Sequence, residues 1–314
     1  MASINALQFM KKGADLKYFF ALSRTPHGLI DMTVPAAAAL LCLGHFPSLS
    51  VTLIGLITIF AGYTAVYALN DVVDVGIDKK KVAIGGCGDN ENYLDGALTR
   101  HPMAKGLLSI SSGVIWTVCW SVVAIAGAYW LNPVCLYIFV AGCALEGAYC
   151  LLWRVTPLRA LVNGLVKTLG AMAAVYAVNP SPPLSFLLVL FLWIFCWEIG
   201  GQNIPCDWTD IEEDRYFKAK TIPIYLGAHR AGLIAAGTLV CAMFLHFILL
   251  WVSPLKFGAP LLFGALAANV CLLLWPVLKL AEARDRKSAM NLFNKASYYP
   301  AATLVLALVM VFAH

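Results

Sequence analysis

The chain has 314 residues, of which 61% are hydrophobic and only 12% charged, whereas a soluble domain carries about 25% charged residues. That balance excludes a protein kept in water by its own surface. The net charge of +5 includes no basic run of the kind that binds nucleic acid, so no nucleic-acid partner is expected. The ten cysteines lack paired or metal-ligand spacing. Most of them, Cys42, Cys119, Cys135, Cys143, Cys241 and Cys271, sit in apolar stretches as small core residues.

In chain order, the N-terminus mixes Lys11, Lys12 and Lys17 with Ile4, Leu7, Phe9, Phe19 and Phe20. It has no continuous apolar core or small-residue cleavage site, and reads as an interfacial amphipathic helix. A spanning helix needs about 20 mostly apolar residues. The sequence predicts nine, at 29–49, 51–70, 107–130, 133–152, 160–178, 184–203, 231–252, 259–280 and 296–313. Nothing is left over for a soluble domain, so the expectation is an all-α integral membrane bundle occupying 1–314 as one domain, with a polar cap built from the two long connections 71–106 and 204–230. The Gly-rich stretch 84–96 lacks the strand and helix context of a phosphate loop and reads as a hinge or lid.

The placement of Lys and Arg tests the count of spans, because a wrong count scrambles their alternation between loops. Every Lys and Arg except Lys167 and Lys256 falls in the N-terminal segment or an even-numbered loop. The expected topology therefore puts the N-terminus and both long loops in the cytoplasm and the C-terminus on the opposite side.

At the end of the second predicted span the chain reads N-D-V-V-D-V-G-I-D, placing Asp71, Asp74 and Asp78 at i, i+3 and i+7. On a continuing helix they lie within an arc of about 60°. Three like charges so close repel unless a cation sits among them. The same spacing returns after the sixth span at Asp207, Asp210 and Asp214, and Asn203 echoes Asn70. With the same polarity at the same face, the two triplets can converge on one cavity mouth. Such a density of hard oxygen ligands favours magnesium, whose natural shared ligand is a diphosphate. Basic residues on that face are Arg100, Lys105, Arg154, Arg159 and Lys220, with Lys167 about two turns deeper.

These residues resemble the UbiA-type intramembrane prenyltransferase superfamily, which joins prenyl chains to aromatic, quinone-precursor or lipid acceptors. The resemblance spans nearly the whole chain. It rests on the two acidic motifs and on K-A-K-T-I-P-I-Y-L-G at 218–227. It implies two magnesium ions that bridge both motifs to a prenyl diphosphate, with a lateral opening through which the tail lies in lipid. Arg100, beside His101-Pro102 and Gly106, matches the family's Arg-Pro pair one place early, and implies a phosphate contact. Tyr149, Arg154 and Asn163 fall near the family's Tyr, Lys and Asn. Gln202, Asn203 and Ile204 stand where many aromatic prenyltransferases carry Tyr-Asp-Thr, so the acid that would polarise a phenolic acceptor is absent.

The expected site therefore has Asp71, Asp74, Asp78, Asp207, Asp210 and Asp214 as metal ligands. Asn70, Asn203, Arg100, Lys105, Arg154, Lys167 and Lys220 surround the diphosphate, and Tyr67, Tyr149, Asn163 and Trp197 line the prenyl or acceptor pocket. Glu146 and Glu198, inside spans, are expected to pair with a group such as Lys167. The reaction expected is magnesium-dependent transfer of a prenyl group to a small lipophilic or aromatic acceptor. The alternatives are a membrane terpene cyclase with no acceptor and a cation transporter.

Overall fold

The structure is a computed structural model describing residues 16–85, 94 and 98–313. The predicted interfacial helix is described only as Leu16–Leu22. Its earlier residues, and most of the predicted lid, lie outside the described residues.

Among the described residues, nine helices are long and apolar enough to cross a membrane: Thr25–Leu43, Leu49–Ala83, Ile110–Leu131, Pro133–Arg154, Arg159–Val178, Leu184–Thr209, Ile222–Val252, Ala259–Ala283 and Arg286–Ala313. We number them as spans 1 to 9. Spans 2, 3, 4 and 9 start where a side chain satisfies one of the first backbone N–H groups. Ser48 accepts from the Val51 N–H, Ser109 from the Ser112 N–H, and Asn132 from the Val134 N–H with Pro133 at the first turn. Gly44, at φ 78°, closes span 1 in a left-handed conformation that glycine adopts without strain.

The bundle is layered by burial. Half or more of the most apolar 18-residue stretch of spans 1 and 6 is buried (56% and 50%), against 17% of that stretch in spans 2 and 3, so spans 1 and 6 form the centre and spans 2 and 3 the wall. Span 1 packs between spans 5 and 9, span 2 against span 3, and span 6 against span 7. Their main core, built around Leu41, Trp193, Ile194, Leu239 and Leu249, is continuous through spans 1 and 5 to 9. Outward, Leu49, Leu151, Trp251 and Phe312 are exposed, as expected of side chains that meet lipid rather than water.

Two elements depart from the expected boundaries in ways that shape the site. Span 2 continues as one helix of 35 residues to Ala83, about 52 Å long at 1.5 Å per residue and far longer than a 30 Å hydrocarbon core. The first third of the predicted connection 71–106 is therefore helix, and the first acidic motif rides on it. Span 6 is not regular: Leu184–Trp197 is α-helical, Glu198–Asn203 is a π segment, and Ile204–Thr209 is α-helical again. Gly200 and Gly201 permit this wide turn to pack tightly. A Cβ on Gly200 would lie 2.7 Å from the Ala235 carbonyl of span 7, and one on Gly201 would lie 2.9 Å from the Ala296 Cβ of span 9.

Candidate functional site

A cavity of about 500 Å³ runs through the bundle. At one end it is lined by Asp74, Asp78, Asp207, Asp210 and Asp214, and at the other by Phe46, Pro47, Val51, Leu131, Val178 and Leu308. Along span 2 alone, Val51 and Asp74 are about 35 Å apart by helical rise. One mouth is thus highly charged and the rest is an apolar sleeve.

The first triplet follows the predicted geometry, since the helix of span 2 carries Asp71, Asp74 and Asp78 without a break. The second does not sit on one helix. Asp207 lies in the last turn of span 6, Asp210 breaks it at φ −106°, ψ 14°, and Asp214 belongs to a separate turn, Ile211–Tyr216. Beside the break the Thr209 hydroxyl donates back to the Cys206 carbonyl at 2.8 Å. The two triplets still meet, because Lys81 at the end of span 2 lies 3.4 Å from Asp214.

Five of the six aspartates are set against basic side chains. Arg24 Nη2 lies 3.4 Å from Asp71, Arg159 Nη2 2.9 Å from Asp207, and Arg100 Nη2 3.5 Å from Asp210. His101 Nδ1 lies 3.4 Å from Asp71 and 2.9 Å from Asp78, held there by a backbone at φ 51° that few non-glycine residues adopt. Burial disfavours ionisation of Asp210, but Arg100, Lys81 and Arg286 outweigh it and hold its carboxyl below the usual range. Burial pushes Asp214 up to about 7, opposed by Lys81 and reinforced by Asp207 and Asp210.

The donor set fits a hard divalent cation. Ligand atoms of Asp71, Asp78 and His101 lie within 4.8 Å of one another. Asp207 Oδ2 and Asn203 Oδ1 are buried without a hydrogen-bond partner, a costly state for oxygen atoms unless a ligand completes it. Carboxylate and amide oxygens in this number suit magnesium better than a softer metal.

Several predicted residues fall elsewhere. Trp197 does not line the pocket. It is 1% exposed in the core, with its indole N–H donating to the Ala296 carbonyl at 3.0 Å. Arg154 is exposed and lies over the rings of Trp153 and Phe217, Lys220 is exposed with its backbone N–H on the Trp153 carbonyl, and Lys105 closes a turn on His101. None of the three lines the cavity. Conversely Tyr67, Asn70, Arg100, Tyr149, Asn163, Lys167 and Asn203 do line it.

Lys167 does not pair with Glu146 or Glu198 as expected. It is bonded to Asp31 and donates to the Tyr67 hydroxyl at 2.7 Å. Glu146 instead accepts from Asn70, and Glu198 from Asn163, each at 2.7 Å. The residue overlooked altogether is Asp31. It is 2% exposed, receives Tyr67 and Lys167, and has His27 3.5 Å away. An aspartate inside an apolar span is itself a signal, and pairing it with Lys167, the lysine deepest within a predicted span, would have found the contact. Arg159 was read only as one basic residue of that face, and Lys81 only as a topology signal. Packing brings both into the mouth, Arg159 from the first turn of span 5.

Comparison with known proteins agrees with this picture. The model of the UbiA prenyltransferase family matches residues 32–299. The digeranylgeranylglyceryl phosphate synthase of Thermococcus kodakarensis is 22% identical over 275 residues, 88% of this chain and 91% of that one. The 4-hydroxybenzoate octaprenyltransferase of Serratia proteamaculans is 26% identical over 279 residues, 87% of each. Among solved structures, a UbiA homolog from Archaeoglobus fulgidus bound to DMAPP and Mg2+ superposes with a TM-score of 0.67 at 14% identity, covering 94% of this chain and 99% of that one.

Proposed function

The chain belongs to the UbiA prenyltransferase family, and on that premise we propose that it grips the diphosphate of a prenyl diphosphate between its two aspartate triplets, with magnesium, and transfers the prenyl group to a small lipophilic or aromatic acceptor. It is an integral, multi-pass membrane prenyltransferase. The observation that carries the finer reading is the cavity itself, with two acidic motifs interleaved with cations at one mouth and an apolar sleeve behind them.

Asp71, Asp74, Asp78, Asp207, Asp210 and Asp214 would hold the metal, with Asn70, Asn203 and His101 beside them. Magnesium, when bound, neutralises charge on the departing diphosphate. Arg24, Lys81, Arg100 and Arg159, already among the carboxylates, supply positive charge toward the same leaving group. The C1–O bond breaks with its electron pair on the diphosphate, and the acceptor nucleophile bonds to C1. The sleeve holds the tail and excludes water that would otherwise capture the cation. Its length favours a long prenyl chain.

The relatives act, by name, on a glyceryl phosphate lipid and on 4-hydroxybenzoate, so transfer to an acceptor has the stronger support. Cyclisation without acceptor is separated from it by experiment. Both triplets sit at one end of the bundle rather than at mid-depth, which counts against a transporter. The distribution of Lys and Arg supports a cytoplasmic N-terminus and mouth with the C-terminus opposite. The deciding test is incubation of purified protein with magnesium and a panel of prenyl diphosphates, with and without acceptors, followed by mass spectrometry of the lipid extract. Prenylated acceptor is expected. Cyclic hydrocarbon formed without acceptor would overturn transfer in favour of cyclisation.

A further inference from the structure

Beyond the diphosphate mouth the cavity carries a second polar level at mid-depth. There Asp31 is fully engaged by Lys167, Tyr67 and His27. Glu198 is not. It is 1% exposed and lines the same cavity. One of its carboxylate oxygens accepts from Asn163 Nδ2 at 2.7 Å, while the other, Oε2, is buried with no hydrogen-bond partner. Leaving such an oxygen unmatched inside a membrane span is costly, so its retention calls for a ligand that brings a proton.

The local fold presents this group deliberately. Glu198 opens the π segment Glu198–Asn203, and a π turn inside an α-helix redirects side chains and recurs at functional sites. Asn203, about one turn nearer the mouth, belongs to the second acidic motif. The carboxyl group is therefore carried on the irregular turn that leads directly into the helix bearing Asp207.

The charge balance at this level restricts what can enter. Lys167 acts on both Asp31 and Glu198, so at this depth one permanent cation, already hydrogen-bonded, and the titratable His27, 3.5 Å from Asp31, face two carboxylates, and Glu146 adds a third nearer the mouth, where Arg24 acts on it. A ligand carrying its own carboxylate or phosphate at this depth would meet like charge in a low dielectric. A neutral hydroxyl compound would instead give Oε2 the donor it lacks.

We propose that Glu198 accepts the proton of the prenyl acceptor, and that this acceptor is an uncharged lipophilic alcohol or phenol. The proposal rests on the prenyltransferase reading and names its second substrate. In the step, the C1–O bond of the prenyl diphosphate breaks with its electron pair on the diphosphate. A lone pair of the acceptor oxygen forms the new bond to C1, and the hydroxyl proton passes to Glu198 Oε2. The proton then leaves with the released diphosphate, restoring the carboxylate.

The test uses full-length protein in detergent with magnesium and geranylgeranyl diphosphate, and a matched pair of probes, 1-naphthol and 1-hydroxy-2-naphthoate, which differ by one carboxylate. Wild-type protein should prenylate the naphthol in preference to the naphthoate. Glu198→Gln should lower kcat with 1-naphthol by about 10²- to 10⁴-fold, the usual worth of a positioned general base. The same variant should keep the wild-type KM for geranylgeranyl diphosphate and the wild-type melting temperature, and Glu198→Asp should restore part of kcat. Wild-type kcat in Glu198→Gln, or preference for the naphthoate, overturns the proposal. If wild-type protein transfers the prenyl group to neither probe nor to any acceptor of the broader panel, the prenyltransferase reading fails and takes this proposal with it.

Discussion

The acids at the mouth differ in how they are held, and the differences make distinct predictions. Asp71 and Asp207 are each paired with a cation and nearly fully buried. Replacing either by Ala should lower turnover by about 10²-fold or more, since a preorganised electrostatic group is removed, and near-normal turnover in both would refute the metal assignment. Chelation of divalent cations should have the same effect and be reversed by magnesium. Asp214 titrates near 7, so around neutrality a proton competes with the metal for its carboxylate. Magnesium affinity, read by calorimetry, should weaken as pH falls below about 7, by up to about tenfold per unit for one linked proton. Asp214→Asn should flatten that dependence. Deeper in the cavity, Asp31→Ala strips Lys167 of its hydrogen-bonded carboxylate, a loss of about 3–5 kcal/mol. The double variant Asp31→Ala/Lys167→Met should recover most of that loss in a thermal melt, because it removes the orphaned charge.

At the level of elements, span 2 illustrates what periodicity can reach. The i, i+3, i+7 spacing of Asp71, Asp74 and Asp78 implied a shared face if the helix outlasted the membrane, and the helix does run to Ala83. The identical spacing at Asp207, Asp210 and Asp214 implied the same, yet Asp210 breaks the helix. Spacing describes a helix only where one exists, and the break at Asp210 is not written in that spacing. The π segment of span 6 was likewise invisible, because Gly200 and Gly201 gain meaning only from Ala235 and Ala296 on other spans. Span 2 also lines the sleeve with Gly55, whose Cβ position is open. Gly55→Phe should raise KM for a long prenyl diphosphate while sparing a short one. Gly55→Ala, which adds little volume, should instead stabilise the helix by about 0.5–1 kcal/mol. Equal effects of Gly55→Phe on both chain lengths would remove this wall from the sleeve.

For the whole molecule, topology is the property most open to direct measurement. Lys256 is the one basic residue placed in an odd-numbered loop, whereas Lys287 stands at the start of span 9 among several basic neighbours. Single cysteines at these two positions, in a background lacking the native thiols, should label from opposite sides of sealed cells, Lys256→Cys from outside and Lys287→Cys only after permeabilisation. Labelling of both from one side would break the nine-span arrangement. The fold and the mouth were largely legible because lipid imposes length and polarity on every span. The interior polar level was not. Lys167 was expected to serve the diphosphate or to neutralise a glutamate, and it answers to Asp31 from span 1 instead.

By itself the sequence determined the number of spans, the all-helical class and the two acidic triplets, since hydropathy and residue spacing are properties of the linear chain. Tertiary structure alone decided which charges meet: Asp31 with Lys167, Arg159 with Asp207, Trp197 in the core rather than the cavity, and an unmatched Glu198 oxygen facing it. Those outcomes depend on how helices distant in sequence rotate and lean when they pack, and no local pattern of residues encodes that rotation.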